Sequence, residues 1–193
     1  MIRCDIIHPS EEEPTMTRQK FSHFLDTIDK NGVWSFGIEL VKMYFSDTPN
    51  RTLIMALKRH CDSGLIVAIC RGYYANPRAR SFPSIPLYAL PSLLRSNEQF
   101  YLSLETALSD YGLISQMPNR LVFMTTGRSQ VFTTPYGIIE FVHSARNVSQ
   151  FYTDCTFDKR FGFYVAEPKK AIRDAKRTNR SRDLINLEEY RNG

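Results

Sequence analysis

SDTPNRTLIMALKRHCDSGLIVAICRGYYANP, residues 46–77, is the stretch on which the fold turns. It reads as a helix, a tight stop, a strand, a turn and a second strand. Thr48 has the side chain of an N-cap, and Pro49 suits a first helical position, where a missing N–H costs nothing. The helix is expected over Pro49–Asp62, with Gly64 as the stop just past its end. Leu65–Ile69 is apolar and rich in β-branched residues, which favours a strand. Cys70-Arg71-Gly72 supplies a turn, and Tyr73-Tyr74-Ala75 returns antiparallel to the first strand.

Projected at 100° per residue, Leu53, Ile54, Leu57 and Cys61 share one arc of the helix. Thr52, Met55 and Arg59 face the other way, flanked by Arg51 and Lys58. Upstream, Arg18–Lys30 carries Phe21, Phe24, Leu25 and Ile28 at helical spacing and ends at Asn31-Gly32. Val33-Trp34 reads as a short strand. Ser35 caps a second helix, Phe36–Phe45, with Ile38, Leu40, Val41 and Tyr44 as its apolar residues. Three helices followed by a hairpin is the order of a winged helix-turn-helix, expected over residues 18–76. In that fold the third helix enters a DNA major groove. Base contacts are expected from Arg51, Thr52, Met55 and Arg59, phosphate contact from Lys58, and a wing contact from Arg71. An ordinary solvated helix face is the competing reading of the same charges.

The whole chain bounds these expectations. Its 193 residues allow one or two domains, and 42% hydrophobic with 12% aromatic residues is enough for packed cores. The net charge of +5 mildly favours an acidic partner, but its distribution says more. Glu11, Glu12 and Glu13 make an acidic leader over residues 1–17. Between Lys169 and Arg182 seven basic residues stand against the single acid Asp174. Cys4, Cys61, Cys70 and Cys155 form no CxxC or CxxH cluster, so zinc is not expected, and free thiols of a reducing cytoplasm are. No signal peptide and no apolar run of membrane-spanning length is present. The expectation is a cytoplasmic protein without a metal or other cofactor.

Residues 77–91 read as a linker, because Pro77, Pro83, Pro86 and Pro91 oppose a regular helix. The second domain, residues 92–193, should begin with a helix over Phe100–Leu113. Strands follow at Leu121–Thr125, Val131–Thr134, Ile138–His143 and Phe161–Val165, then a basic helix from Glu167 to Thr178 and a short helical turn near Leu187–Tyr190. Short strands at hairpin spacing predict an α+β domain with an antiparallel sheet.

This second half resembles a known family. YLSLETALSDYGLISQMPNRLVFMTTGR, TTPYGIIEFVHS and FGFYVAEPKKAIRDAKR look like the C-terminal domain of the AbiEi antitoxins of bacterial type IV toxin–antitoxin systems. The family's ALxxxGL helix corresponds to Ala107-Leu108 with Gly112-Leu113. Its PxxxxVxT strand corresponds to Pro118, Val122 and Thr125, and its PEKAxxD helix start to Pro168-Lys169-Lys170-Ala171 with Asp174. The RGxY form of the family's wing matches Arg71-Gly72-Tyr73-Tyr74. Lys170 departs from the family's acid-then-lysine order, and relatives carry more helix after the position of Asp174. The resemblance spans roughly residues 18–175. It implies an N-terminal domain that binds double-stranded operator DNA and represses its own operon. It also implies a C-terminal domain that counters a nucleotidyltransferase-like toxin without a necessarily stable complex. The basic helix, with Lys169, Lys170 and Arg173, is the expected antitoxin surface.

Two other classes compete. Glu167-Pro168-Lys169, with Asp154 and Asp158 upstream, has the E-x-K form of metal-dependent nucleases, but Pro168 is expected to open a helix, whereas those enzymes need adjacent strand positions. Phe100-Tyr101, Phe161–Tyr164 and Tyr136 are candidate walls of a protein-interaction groove. No P-loop occurs, and His8, His23, His60 and His143 are scattered.

Overall fold

The computed structural model describes residues 16–145, 148–180, 184 and 185. The acidic leader up to residue 15, Cys4, His8, Arg182 and the turn expected at Leu187–Tyr190 lie outside them. The chain divides into two compact units. The first runs through Ala68 and resumes over Gly72–Phe82; the second takes Ile69–Arg71 and everything from Pro83 on.

From Arg18 to Ala75 the elements run α1 (Arg18–Lys30), β1 (Ser35–Gly37), α2 (Ile38–Tyr44), α3 (Asn50–Asp62), β2 (Val67–Cys70, its last two residues counted with the second unit) and β3 (Tyr73–Ala75). Thr17 caps α1, its hydroxyl accepting from Lys20 N at 3.3 Å. The three strands lie in the order β1-β3-β2. β1 pairs antiparallel with β3, Phe36 opposite Tyr74. The β2–β3 connection is the two residues Arg71-Gly72, and Gly72 holds φ +81°, which a side chain would resist. Phe21, Phe24, Leu25 and Ile28 of α1 are buried against Phe36, Val41, Leu53, Ala56 and Leu57. Phe24 meets Phe36 edge-on at 5.5 Å.

Several boundaries differ from expectation: the first strand is Ser35–Gly37 and not Val33-Trp34, the strand expected over Leu65–Ile69 is Val67–Cys70, and Thr48 is not the N-cap of α3. Ser35 does not cap α2: Ser35–Gly37 is strand, which leaves a shorter helix entered from Gly37. α3 begins at Asn50, with Pro49 as the flanking residue.

The expected linker is also structured. Asp29 of α1 accepts from Arg80 N at 2.9 Å, Ser81 N at 3.0 Å and Ser81 Oγ at 2.6 Å. Ala79 is buried, and the Phe82 ring stands 4.9 Å from Trp34. From Pro86 the chain is helical, α4 (Pro86–Leu94), despite Pro91 in its interior. A helix this short loses one internal bond to Pro91, and the burial of Leu90 and Leu94 offsets that loss.

The second unit continues β4 (Phe100–Leu102), α5 (Leu104–Asp110), β5 (Arg120–Thr125), β6 (Gln130–Thr134), β7 (Gly137–His143), a 3-10 turn at Val148–Gln150, β8 (Cys155–Asp158), β9 (Phe163–Ala166) and α6 (Pro168–Thr178). Phe100–Leu102 is strand where a helix was expected, and the β8 strand was not anticipated. The six strands lie in the order β6-β7-β5-β4-β9-β8. This sheet is mixed, not antiparallel. The hairpins β6–β7 and β8–β9 each join it through their second strand, so β7 runs parallel to β5 and β9 parallel to β4. Strand spacing in the sequence marks a hairpin but not which of its strands docks.

Alternation along β5 sends Val122 and Met124 to one face, where Leu104, Ala107 and Leu108 of α5 and Ala171, Ile172 and Ala175 of α6 cover them. Phe123 turns to the other face and joins Phe100, Phe141 and Phe163 at ring distances of 5.2–5.6 Å. α4 lies on β7: a side chain at Gly137 would meet Leu87 Cδ2 at 2.8 Å. Both faces are therefore covered, which accounts for the nearly continuous burial of β5.

Candidate nucleic-acid interface

α3 buries Leu53, Ala56, Leu57 and His60. The buried arc is rotated from the one expected, with Ala56 and His60 inside and Ile54 outside, while Cys61 is half-buried and packs against the same core. The small Ala56 permits close approach. The flat imidazole of His60 stacks on Phe21 at 4.5 Å with only 3° between the planes. Burial, then the charges of Arg59 and Arg18, hold His60 below its ordinary pKa, and its Nε2 has no hydrogen-bond partner among the described residues.

The rotation fixes what reaches solvent. Arg51, Ile54, Met55, Lys58, Arg59 and Asp62 are exposed, a row spaced three and four apart along one side of α3. Thr52, expected on that face, is half-buried beside it. Ile54, expected in the core, is 53% exposed, and Met55 is 60% exposed. Arg51, Lys58 and Arg59 make no ion pair or side-chain hydrogen bond among the described residues, so their donors are available. Arg71 is exposed in the β2–β3 turn and is likewise unpaired there.

The basic helix of the second unit is different. Lys169, Arg173, Lys176 and Arg177 are exposed on α6, but Lys170 is not a surface residue. Its side chain is wholly buried, with Nζ donating to Phe151 O at 2.5 Å and Thr153 O at 2.6 Å and lying 4.3 Å from the Tyr101 ring centre. Asp174, one turn on, is equally buried and accepts from Tyr101 Oη at 3.0 Å and Ser103 Oγ at 2.8 Å. Ala171, Ile172 and Ala175 form the inner stripe of α6, and the same projection carries Lys170 and Asp174 inward. That signal was present in the sequence and was masked by reading the charges as surface. Arg173 pairs with Asp154. Arg180 is held between Glu105 at 3.0 Å and Glu140 at 2.6 Å, while Arg120 reaches the second Glu140 oxygen at 3.2 Å. Hydrogen bonds from Arg180, then its charge and those of Arg120, hold Glu140 below its usual pKa against the effect of burial.

Glu167 is the N-cap residue of α6 and Pro168 its first helical residue. The E-x-K triplet therefore opens a helix and does not occupy a strand. No group of three or more His, Cys, Asp or Glu side chains with metal-binding placement occurs among the described residues. Cys61 and Cys70 are free thiols. No described helix is long and apolar enough to cross a membrane.

No family model and no curated protein matches the chain.

The second unit also carries an open groove of about 830 Å³ between the start of α4, the end of α5 and the β8–β9 turn. Tyr88, Tyr111, Phe161 and Phe163 wall it, with Asp110 and Lys159 also lining it. Of the aromatic residues expected in a groove, Phe161 and Phe163 line it; Tyr101 is core and Phe100 belongs to the ring cluster under α4.

Proposed function

We propose that this chain is a DNA-binding transcriptional autorepressor and antitoxin of a toxin–antitoxin operon, an AbiEi-like protein whose first unit works as a winged helix-turn-helix. The observation that carries the reading is the exposed row Arg51–Ile54–Met55–Lys58–Arg59 on α3, whose three cations form no ion pair among the described residues and face a single acid of the row, Asp62. The element order α-β-α-α-β-β and the strand order β1-β3-β2 support it, because in that arrangement the third helix is the reading helix and the β2–β3 turn is the wing. Arg51 and Arg59 read guanine or phosphate, Met55 contacts a base edge, Lys58 neutralises phosphate, and Arg71 engages the backbone beside the wing. Thr52 contributes at the margin of this face. Titrating the full chain with the duplex upstream of its own gene, by fluorescence anisotropy at several salt concentrations, tests the reading.

The antitoxin role rests on the family-like motifs of the second unit. Its surface is the outer side of α6, Lys169, Arg173, Lys176 and Arg177, without Lys170. Co-expression of the neighbouring nucleotidyltransferase-like gene product with the full chain tests it: growth is rescued by the wild type and lost with those four residues changed to alanine.

A further inference from the structure

The exposed row of α3 has an internal order that bears on what it reads. Arg51 stands at one end, Ile54 and Met55 follow, then Lys58 and Arg59, and the acid Asp62 closes the row. At 1.5 Å per residue the apolar pair sits about 4.5–6 Å from the cations on either side, the reach of one to two base-pair steps. Single exposed apolar side chains are common on protein surfaces. Two adjacent large ones, both more than half exposed and bracketed by unpaired cations, form a composite surface with its own chemistry.

We infer that Ile54 and Met55 read thymine methyl groups at the centre of the bound site. The inference rests on the DNA-binding reading and goes beyond it in naming the base chemistry that the helix requires. In the major groove the thymine C5-methyl is the apolar group that base edges offer a side chain. Against any other edge Ile54 and Met55 strip water from donors and acceptors and return no hydrogen bond. The flanking arginines present paired donors, which suit the two acceptors of guanine. The preferred duplex therefore has one or two thymines at its centre, with guanine or backbone contacts to either side.

The test uses the full-length protein. A tightly bound duplex is first selected from a randomised library, and its thymines are then replaced one at a time by deoxyuridine, which removes the methyl and nothing else. Affinities are measured by fluorescence anisotropy at fixed salt. One or two central replacements should each weaken binding about fourfold, the effect of one buried methyl, while replacements elsewhere leave it unchanged. In the Ile54→Ala/Met55→Ala variant the thymine and deoxyuridine duplexes should bind equally. Both residues are exposed, so circular dichroism of this variant should match the wild type. If the protein selects a duplex but no deoxyuridine replacement matters, the methyl inference is overturned and the DNA reading stands. Discrimination that survives in the double variant overturns it too. Failure to select any duplex overturns the DNA reading and this inference with it.

Discussion

Replacing Lys170 by methionine isolates the buried ammonium of α6. Methionine keeps an unbranched stem of similar volume, so little cavity is created. What is lost is the pair of hydrogen bonds from Nζ to the carbonyls of Phe151 and Thr153, which tie the segment before β8 to α6. The Phe151 carbonyl, left buried without a donor, costs about 1–3 kcal/mol, and the part-buried carbonyl of Thr153 costs less because water reaches it. The stacking of the ammonium on Tyr101 is lost as well, worth about 1–2 kcal/mol when desolvated. The relief of no longer burying the ammonium is offset by the equally buried Asp174 one turn on, which loses a neighbouring positive charge. The net expectation is a loss of about 2–4 kcal/mol. With a urea m-value of about 1–3 kcal/mol/M the midpoint falls by roughly 1–2 M. The assay is urea denaturation followed by far-UV circular dichroism, with Lys169→Met as the control on the same helix. Lys169 is exposed, so that control should stay within about 0.5 kcal/mol. If Lys170→Met proves no more destabilising than Lys169→Met, Lys170 does not anchor the segment and the account of α6 is wrong.

Three further outcomes follow from the same geometry. His60 has its folded pKa lowered below the ordinary 6.5, so the unfolded chain binds the proton first and stability is lost as pH falls from about 6.5 toward the folded value; in urea titrations between pH 7.5 and 5, His60→Leu should flatten that dependence. Glu140 is lowered below 4.5, so its contribution is present above that value and lost as pH falls through the folded pKa; Glu140→Gln should cost about 1–3 kcal/mol at pH 7 and progressively less below pH 4 by the same titration. Asp29→Ala should release the segment it holds, seen as faster tryptic cleavage after Arg80 at unchanged cleavage elsewhere in the first unit.

Local signals carried much of the fold. The bounds of α1, the Arg71-Gly72 turn and the start of α6 at Pro168 follow from caps, glycine and proline, which act through neighbouring residues. Nonlocal choices were illegible. Nothing within GRSQVFTTPYGIIEF states that β7 and not β6 docks on β5, because the choice depends on a strand more than ten residues upstream. Phe100–Leu102 is too short for periodicity to distinguish strand from helix, and pairing with Met124 and Tyr164 through Tyr101 decided it. Proline density argued against α4, and buried leucines overrode it. The candidate interface was legible in its cations and not in its rotation. Ile54 looks more like core than His60 does, until the imidazole finds Phe21 as a stacking partner. Lys170 shows the converse: its charge pointed to the surface, and the two carbonyls able to receive it lie in a segment that no helical projection can see.

Duplex binding by the full-length wild type and by the Arg51→Ala/Arg59→Ala variant, compared at moderate and at raised salt, tests the central claim most directly. Both arginines are exposed and unpaired, so the variant should keep its fold. The account predicts a loss of at least about tenfold for the pair and a shallower dependence of log Kd on log salt. Equal affinity and equal slope for the two proteins would contradict it.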